Sequence, residues 1–416
     1  MFIRALIIDE RKFKMIQVYS EIGKLNKVML HRPCNELYQI NPFNLEEMLF
    51  EDTPYLKDAQ FEHDSFSKIL KDNGVEVVYL KDLFYQAMMR EDVRRSFILD
   101  FTELSNISSI RLKEKVKNHY TNLDLNDFID SVFEGLRRDN PYFKKKDSLG
   151  EMTYLDDIFI VNPMPNCYFT RDSSVNIADS VIISNMGKQF RRREPLLLKY
   201  IHQYSDEFKD NPTINLFDNT LPYGIEGGDI IILSDKVVCI GCTERTSPGA
   251  IEYVSMKLFE KGYEAIYAFE LERGRNAMHL DGMLTMIDYE TFIFNPFLSG
   301  SVNVFKISPG REKSIKVISV TDSWEKVLAD ALNTNAVKLI PCGNGDRIIG
   351  NWELWNLGSN VLTIKPGEVV GYDRNDVTLS LLDKEGIKVH TFSGSELSRG
   401  RGGARCMSMP MIREKI

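Results

Sequence analysis

The 416-residue chain has no long apolar run, since no stretch approaches the roughly 18 consecutive apolar residues that a membrane helix requires. Residues 1–14 include a short apolar run without a small-residue cleavage site, so we expect no signal peptide. We interpret them as a possible N-terminal extension, because Met15 follows in frame. The 52 basic side chains are outnumbered by 60 acidic ones, and the net charge is −8. This balance argues against a broad nucleic-acid-binding surface.

Cysteine is also scarce, with six residues scattered along the chain. In a long chain without a predicted secretion signal, such cysteines indicate free thiols in a reducing compartment, so we expect a cytoplasmic protein. Cys239 and Cys242 form a C-x-x-C pair, but no second pair of thiols or histidines completes a zinc site. Their neighbours resemble a strand end, which favours packing over a redox role. The cysteines are Cys34, Cys167, Cys239, Cys242, Cys342 and Cys406.

Short β-branched runs recur along the chain, and several come in pairs separated by tight turns. Residues 233–235 and 365–367 are two such turns. Amphipathic helical patterns lie between the pairs, for example at 55–72 and 248–261. This alternation of hairpin, helix and strand predicts an α/β protein with mixed sheets. The strand candidates are residues 75–80, 157–161, 180–184, 229–233, 236–240, 283–287, 291–295, 316–320, 337–341, 360–364, 368–372 and 387–392.

Between residues 83 and 150 the strand signals fade and the pattern becomes one of short helices. Residues 126–140 place an apolar stripe on one side of such a helix. A charged, lysine-rich connector follows. We interpret this segment as a helical subdomain inserted into the α/β domain.

The strongest local signal is the segment GSELSRGRGGARCMSMP at 394–410. Its four glycines permit positive φ angles and a close approach of the backbone to a ligand. Arg399, Arg401 and Arg405 are expected to lower the pKa of the Cys406 thiol and so favour the reactive thiolate. Taken alone, the segment fits a flexible glycine-arginine tail with an inert buried cysteine equally well.

Two shorter motifs supply a histidine and more carboxylates. The sequence EGGD runs from Glu226 to Asp229 at the entrance of a predicted strand, where two glycines leave room for a ligand. In MHLDG, His279 and Asp281 are two positions apart, so on a strand their side chains would share a face. Histidine is the usual acid/base near neutral pH. Taken alone, the first motif is more typical of an Asp/Gly turn, and the second of a hydrogen-bonded strand histidine.

A fourth motif, NPMPNCYFTRDSS at 162–174, places a polar and aromatic cluster after two prolines. It contains Asn166, Phe169 and Asp172. Taken alone, the motif fits a structured loop with an Arg171–Asp172 pair as well as it fits a functional site. Together the four motifs combine one cysteine, one histidine and three carboxylates without metal-ligand spacing.

This combination resembles the arginine deiminase family, whose order and spacing the chain follows from about residue 20 to the C-terminus. The resemblance implies a five-fold pseudo-symmetric α/β propeller, the pentein fold. This catalytic domain would span 15–416 and be interrupted by a helical insertion at 83–150. The segments that carry the resemblance are LFEDTPYLKDAQFEHD (49–64), NPMPNCYFTRD (162–172), FRRRE (190–194), IEGGD (225–229), GCTERTS (241–247), MHLDG (278–282), GSN (358–360) and SELSRGRGGARCMSMP (395–410).

The resemblance also implies roles for single residues. Cys406 corresponds to the nucleophile, His279 to the general acid/base, and Glu226 to the carboxylate that pairs with this histidine and the substrate. Asp172 and Asp281 correspond to the carboxylates that grip the guanidinium nitrogens. The implied substrate-binding residues are Arg191 and Arg245 as a clamp on the α-carboxylate, Asn166 beside them, and Phe169, Leu49, Gly400 and Arg401 around the head group.

The implied reaction is the hydrolysis of free L-arginine to L-citrulline and ammonia through a covalent S-alkylthiouronium on the nucleophile. No metal and no organic cofactor is expected, because side chains supply the nucleophile and the acid/base. The expected partners are the small-molecule substrate and further copies of the chain, as a dimer or larger homo-oligomer. We expect no nucleic-acid or membrane partner.

Alternatives remain open. The chain could be another guanidine-modifying enzyme, such as an agmatine deiminase, an amidinotransferase or a dimethylarginine hydrolase, or a catalytically silent arginine-binding protein. A cysteine protease or amidase would also need a cysteine and a histidine. An arginine clamp disfavours agmatine, which lacks the carboxylate. Three carboxylates suit a small cationic amino acid better than a peptide.

The chain departs from the family pattern at 350–360, GNWELWNLGSN, where Leu357 stands in place of an expected polar residue. Ser173 and Ser174 likewise stand where a proline-containing pair is more common. These positions lie beside the motifs, so we expect them to affect fine tuning or oligomer packing rather than the reaction.

Overall fold

The computed structural model describes residues 16–107, 109–146, 149–153, 158–208, 210–217, 223–272, 274, 278–297 and 302–416. The possible extension at 1–14 lies outside these residues. Within the part of the chain that is described, no helix is long and apolar enough to cross a membrane.

The described residues form an α/β structure in which short strands alternate with helices. The strands are β1 (Leu25–Leu30), β2 (Glu76–Tyr79), β3 (Leu136–Arg137), β4 (Phe159–Val161), β5 (Ser174–Ile177), β6 (Ser180–Ile183), β7 (Thr213–Asn215), β8 (Ile230–Ile232), β9 (Val237–Cys242), β10 (Ala265–Glu270), β11 (Leu284–Asp288), β12 (Thr291–Phe294), β13 (Asn303–Pro309), β14 (Ile315–Val320), β15 (Lys338–Pro341), β16 (Leu362–Lys365), β17 (Glu368–Tyr372), β18 (Lys388–Phe392) and β19 (Met409–Arg413). The helices are α1 (Leu56–Asp72), α2 (Leu80–Met88), α3 (Glu91–Leu104), α4 (Ile110–Asn122), α5 (Leu125–Glu134), α6 (Leu149–Met152), α7 (Thr170–Ser173), α8 (Glu194–Tyr204), α9 (Pro248–Glu260), α10 (Trp324–Leu332), α11 (Arg347–Trp355) and α12 (Asp376–Lys384).

Five of the six sheets in the described residues contain the same three-strand unit, in which the middle strand has an antiparallel neighbour on one side and a parallel neighbour on the other; β13 and β14 extend one of these sheets, and β3 and β4 form the sixth. The middle strands β6, β9, β12 and β17 pair antiparallel with β5, β8, β11 and β16, and parallel with β7, β10, β15 and β18. In the remaining sheet, β1 lies between antiparallel β19 and parallel β2. A helix precedes each strand that pairs parallel with a middle strand, because parallel neighbours need a long crossover connection and this is usually a helix. The sequence has no visible repeat that matches this structural one.

All twelve predicted strands overlap strands of the structure, because short β-branched runs bounded by turn residues are a clear signal. The two predicted turns join β8 to β9 and β16 to β17. Gly367 adopts a φ of 72° in the second turn, a conformation that favours glycine. Cys239 is fully buried in β9, as expected for a packing residue.

Helices α2 to α5 pack around a common aromatic cluster, which also contacts α8. The rings of Phe84, Phe97, Phe101 and Phe128 are buried, and Phe97 makes edge or stacked contacts with the other three. Such contacts add to the stabilisation that comes from burying the rings. The assignment of 83–150 as an inserted subdomain stays a prediction, although the helical run begins earlier, at Leu80.

Candidate active site

The predicted catalytic residues occupy equivalent places in four of the five sheets that share the three-strand unit. Each precedes the strand that forms the antiparallel edge of its sheet: Asp172 precedes β5, Glu226 precedes β8, His279 and Asp281 precede β11, and Cys406 precedes β19. The loop before β16, which completes the set, contains Asn360. Five loops therefore contribute to one site.

Hydrogen bonds connect these loops in a closed ring. The Gly228 amide donates to Asp172 Oδ1 at 3.2 Å, and the next loops meet through Glu226 and His279. Asn360 donates from Nδ2 to the Asp281 carbonyl oxygen at 3.2 Å and accepts at Oδ1 from the Cys406 amide at 3.1 Å. The Arg171 amide, beside Asp172, donates to the Cys406 carbonyl oxygen at 3.1 Å and closes the ring.

Cys406 lies on a tightly packed segment between a 3-10 turn, Leu397–Gly400, and β19. The thiol is buried, and its Sγ lies 3.5 Å from Asp281 Oδ2. A Cβ added at Gly403 would lie 2.4 Å from the Asn360 carbonyl oxygen, so this position requires glycine. The predicted close backbone approach is therefore made to the protein's own Asn360.

His279 and Asp281 do not lie on a strand, so the prediction that they share a strand face is wrong. His279 immediately precedes a 3-10 turn, Leu280–Gly282, and β11 begins only after it. The tight turn nevertheless directs both side chains into the site. His279 Nε2 lies 2.8 Å from Glu226 Oε2, and Nδ1 lies 3.8 Å from Asp172 Oδ1. A Cβ at Gly228 would lie 2.5 Å from His279 Nδ1, which explains a glycine of the EGGD motif.

The surroundings of His279 and Glu226 favour a charged imidazole. Burial opposes the charge, but the carboxylates of Asp172 and Glu226 outweigh it and raise the pKa of His279 to about 9. Burial likewise opposes the charge of Glu226, but Arg245 and His279 hold the pKa of this carboxyl well below its ordinary value. Near neutral pH the histidine is therefore a proton donor hydrogen-bonded to a carboxylate.

The expectation that three arginines lower the pKa of the Cys406 thiol is wrong for the unliganded protein. Burial, Asp281 and Asp172 raise the pKa of Cys406 well above its ordinary value, and Arg405 opposes them only in part. Arg399 instead pairs with Asp52 and Glu396. Proximity in sequence therefore did not predict proximity to the sulfur.

The predicted α-carboxylate clamp residues are buried beside the catalytic carboxylates. Arg191 donates from Nη1 to Asp172 Oδ2 at 2.7 Å, and from Nε and Nη2 to Glu194. Arg245 Nη1 lies 3.2 Å from Glu226 Oε2. Both guanidinium groups therefore stabilise negative charge in the site, Arg191 on Asp172 and Arg245 on Glu226.

A cavity of about 370 Å³ opens directly onto Cys406, His279 and Asp281. Arg401 is among its lining side chains, and so are several residues of the 350–360 segment. These departures from the family pattern therefore border the cavity, closer to the reaction than expected. The residues of 350–360 that line the cavity are Asn351, Leu354, Trp355, Leu357 and Asn360.

Four other predicted head-group residues do not line this cavity. Asn166 donates to the Met48 carbonyl oxygen at 2.9 Å, next to Leu49, which adopts a φ of 64°. A Cβ at Gly400 would lie 3.0 Å from the Phe169 ring. In this structure these four residues are brought near one another, but they are not among the residues that line the cavity.

Asp172, Glu226 and His279 could in principle hold a metal ion, because one ligand atom of each lies within 4.8 Å of the others. The bonds from Arg191 to Asp172 and from Arg245 to Glu226, however, already bring positive charge to both carboxylates. The donor set therefore suits guanidinium groups better than a resident metal.

Three further residues of the site had been given no role from the sequence. Asn360 was visible only as part of the GSN segment. Asp229, the last residue of EGGD, is fully buried and accepts from the Leu280 amide at 2.9 Å; burial raises its pKa to about 7. Glu21 pairs with Arg405, whose Nη1 donates to Asp281 Oδ2 at 2.8 Å. No local motif identifies Glu21.

Comparison with solved structures identifies the fold. An amidinotransferase (SxtG) from Microseira wollei superposes with a TM-score of 0.54 at 14% identity, covering 96% of this chain and 98% of the other. A DDAH from Pseudomonas aeruginosa in complex with citrulline gives a TM-score of 0.52 at 13% identity, covering 93% and 99%. The chain therefore has the α/β fold of these proteins, the pentein fold.

Sequence comparison is more specific. The family model for arginine deiminase matches residues 46–413. Curated arginine deiminases from Staphylococcus haemolyticus and Clostridium perfringens are 42% and 38% identical to this chain. The first match covers 96% of this chain and 99% of the relative, and the second 98% and 100%. The chain belongs to the arginine deiminase family.

Proposed function

We propose that this protein hydrolyses free L-arginine to L-citrulline and ammonia. The observation that carries the proposal is a connected cluster of a buried thiol, an imidazole of raised pKa and three carboxylates, in a chain that belongs to the arginine deiminase family. The thiol, the imidazole and Asp281 line one cavity. A flat, cationic guanidinium suits this arrangement, because carboxylates bind its nitrogens in bidentate fashion.

Two of the carboxylates would grip the substrate. Asp172 lies on the loop next to that of Cys406, and Asp281 Oδ2 lies 3.5 Å from the Cys406 sulfur. Each carboxylate is already paired with a guanidinium, that of Arg191 or Arg405. A substrate guanidinium bound between them would bring a further positive charge next to the sulfur. Because nearby negative charge raises the pKa of the thiol, this added cation would lower it.

In the first half of the reaction, the Cys406 thiolate forms a bond to the guanidinium carbon. His279 gives its proton to a terminal nitrogen, the bond from carbon to that nitrogen breaks, and ammonia leaves. An S-alkylthiouronium remains on Cys406. In the second half, neutral His279 takes a proton from water, and the resulting hydroxide adds to the same carbon. The carbon–sulfur bond then breaks and restores the Cys406 thiolate, the hydroxyl proton passes to solvent as the carbonyl forms, and citrulline departs.

Recognition of the amino-acid head group is assigned to Arg191 and Arg245, with Asn166, Phe169, Leu49, Gly400 and Arg401. A site with cations for the α-carboxylate disfavours agmatine, since agmatine offers no carboxylate for them to bind. Comparable kcat/KM values for agmatine and L-arginine would contradict this assignment.

The finer architecture belongs to the same proposal. The five sheets that contain the same three-strand unit support a five-fold pseudo-symmetric propeller around the site, with 83–150 as an inserted helical subdomain. A homo-oligomer is expected by analogy only.

The first experiment is citrulline formation from L-arginine by the purified protein, with agmatine measured in parallel. We expect citrulline from L-arginine, and loss of turnover with retained folding in Cys406→Ser. Cys34→Ser is the matched control, because Cys34 is a half-buried thiol outside the described cavity. Near-normal turnover by Cys406→Ser would overturn the mechanism.

A further inference from the structure

The side chain of Arg401 is packed against an aromatic ring at the edge of the catalytic cavity. Its guanidinium carbon lies 3.6 Å from the centroid of the Trp355 ring, and Nη1 donates to the Trp355 carbonyl oxygen at 2.6 Å. A planar guanidinium stacks well on an indole face, which makes this a favourable cation–π contact. Trp355 thus contacts Arg401 through both its ring and its backbone.

The backbone on both sides of this contact is specialised. Trp355 is the last residue of α11, so its carbonyl oxygen is among the helix-terminal acceptors that lack a partner within the helix. The negative end of the helix dipole favours a cation there. Arg401 follows a 3-10 turn and has a φ of 68°, in the left-handed region that is uncommon for a residue with a side chain. This conformation sends its side chain toward the end of α11.

Arg401 and Trp355 both line the cavity that exposes Cys406. The position of the guanidinium relative to the thiol therefore depends on where the indole lies. Trp355 belongs to the 350–360 segment, in which the chain departs from its family pattern.

We propose that Trp355 is a positioning residue, which holds the Arg401 guanidinium at the cavity edge for contact with the α-carboxylate of the substrate. The inference rests on the proposed function, since it assumes that an amino acid with a free carboxylate occupies the cavity. Trp355 acts through Arg401 and does not take part in bond making.

The test compares Trp355→Leu with Trp355→Phe and Trp352→Leu. Trp352 is the matched control, because it lies one turn earlier on α11 and is similarly exposed, 54% against 47%, yet does not line the cavity. We expect Trp355→Leu to raise the KM for L-arginine about three- to tenfold, in line with a partly desolvated cation–π contact, with kcat within about twofold. Trp355→Phe keeps an aromatic face and should recover most of the loss.

Two further measurements separate positioning from a merely structural role. In an Arg401→Gln background, Trp355→Leu should raise KM no further, since a coupled pair is non-additive. The inhibition constant of agmatine, which lacks the carboxylate, should be unchanged by Trp355→Leu. An additive double variant, or a rise in the agmatine constant equal to that in KM, would overturn the inference.

The outcomes also distinguish this inference from the proposed function. An active wild type with an unchanged KM in Trp355→Leu would refute the role of Trp355 alone. If the wild type forms no citrulline, the proposed function fails. The same comparison is then made with calorimetric Kd values for L-arginine, and equal Kd values for wild type and Trp355→Leu would refute the inference as well.

Discussion

Replacing Glu226 by glutamine should lower the pKa of His279, because the carboxylate contributes to the charge of the imidazole. Glu226 Oε2 lies 2.8 Å from His279 Nε2, and both side chains are buried. Although burial opposes the charge, Asp172 and Glu226 raise the pKa of His279 from 6.5 to about 9. This difference corresponds to roughly 3 kcal/mol in favour of the imidazolium.

An opposite charge at hydrogen-bond distance accounts for about one to three pH units of such an effect. In Glu226→Gln we therefore expect the pKa of His279 to fall by about that amount. Because the pKa of His279 is raised, the imidazolium of the wild type is present below a pH of about 9 and is lost as the pH rises through that value. At pH 8 the protonated fraction of His279 would fall from about nine-tenths to between about one half and one hundredth, so kcat should fall by about 2- to 100-fold through loss of the general acid.

The assay is an NMR titration of the protein labelled with ¹³C at histidine Cε1, which is tractable because the chain has only six histidines. Loss of one resonance in His279→Asn assigns the signal. Glu244→Gln is the matched control, since Glu244 contacts Arg245 and Lys188 rather than the imidazole. A His279 midpoint that stays near its wild-type value in Glu226→Gln would refute the electrostatic account of the pair.

Three further outcomes follow from the geometry. Gly228→Ala should lower kcat by about 100-fold or more, because the new Cβ would lie 2.5 Å from His279 Nδ1 and displace the ring. The control in the same steady-state assay is Gly282→Ala, whose Cβ would meet no atom within 4 Å. Glu21→Gln should cost roughly 3 kcal/mol of unfolding free energy at pH 7: although burial opposes it, Arg405 and Arg171 lower the pKa of Glu21 from 4.5 to about 2. Urea unfolding should show this deficit above about pH 4.5 and its disappearance as the pH falls toward 2, and a deficit independent of pH would contradict the assignment. Iodoacetamide should alkylate Cys406 slowly at pH 7 and faster with rising pH, as followed by mass spectrometry, because the pKa of the buried thiol is raised; rapid labelling at pH 7 would show a thiolate in the free protein.

The motifs indicated the predicted catalytic side chains because each motif combines a reactive residue with glycine or proline. In a loop these residues mark a place where the backbone must approach something closely, as Gly228 approaches His279. The structure brings Cys406, His279, Glu226, Asp172 and Asp281 into one connected cluster. Local composition singled out these five residues as candidates, and the resemblance to the family assigned their roles. Neither predicted the secondary structure on which His279 lies.

Residues that act through long-range contacts had no comparable signal. Glu21 pairs with Arg405 from 384 positions away, and Asn360 bonds Cys406 from 46 positions away. Their importance depends on which loops the fold brings together. The same limit explains the wrong expectation for the thiol, since the decisive neighbours, Asp281 and Asp172, are distant in sequence.

The structural repeat explains why the site draws on the whole chain. In four sheets a functional residue follows a connection and immediately precedes the antiparallel edge strand, and Asn360 occupies this place in the fifth. Each loop is hydrogen-bonded to the next, so displacement of one loop would alter the positions of both neighbouring loops. The arrangement holds carboxylates beside a buried thiol, at the cost of suppressing the thiolate. A bound guanidinium would relieve that suppression, so the geometry itself couples formation of the nucleophile to the presence of a cationic substrate.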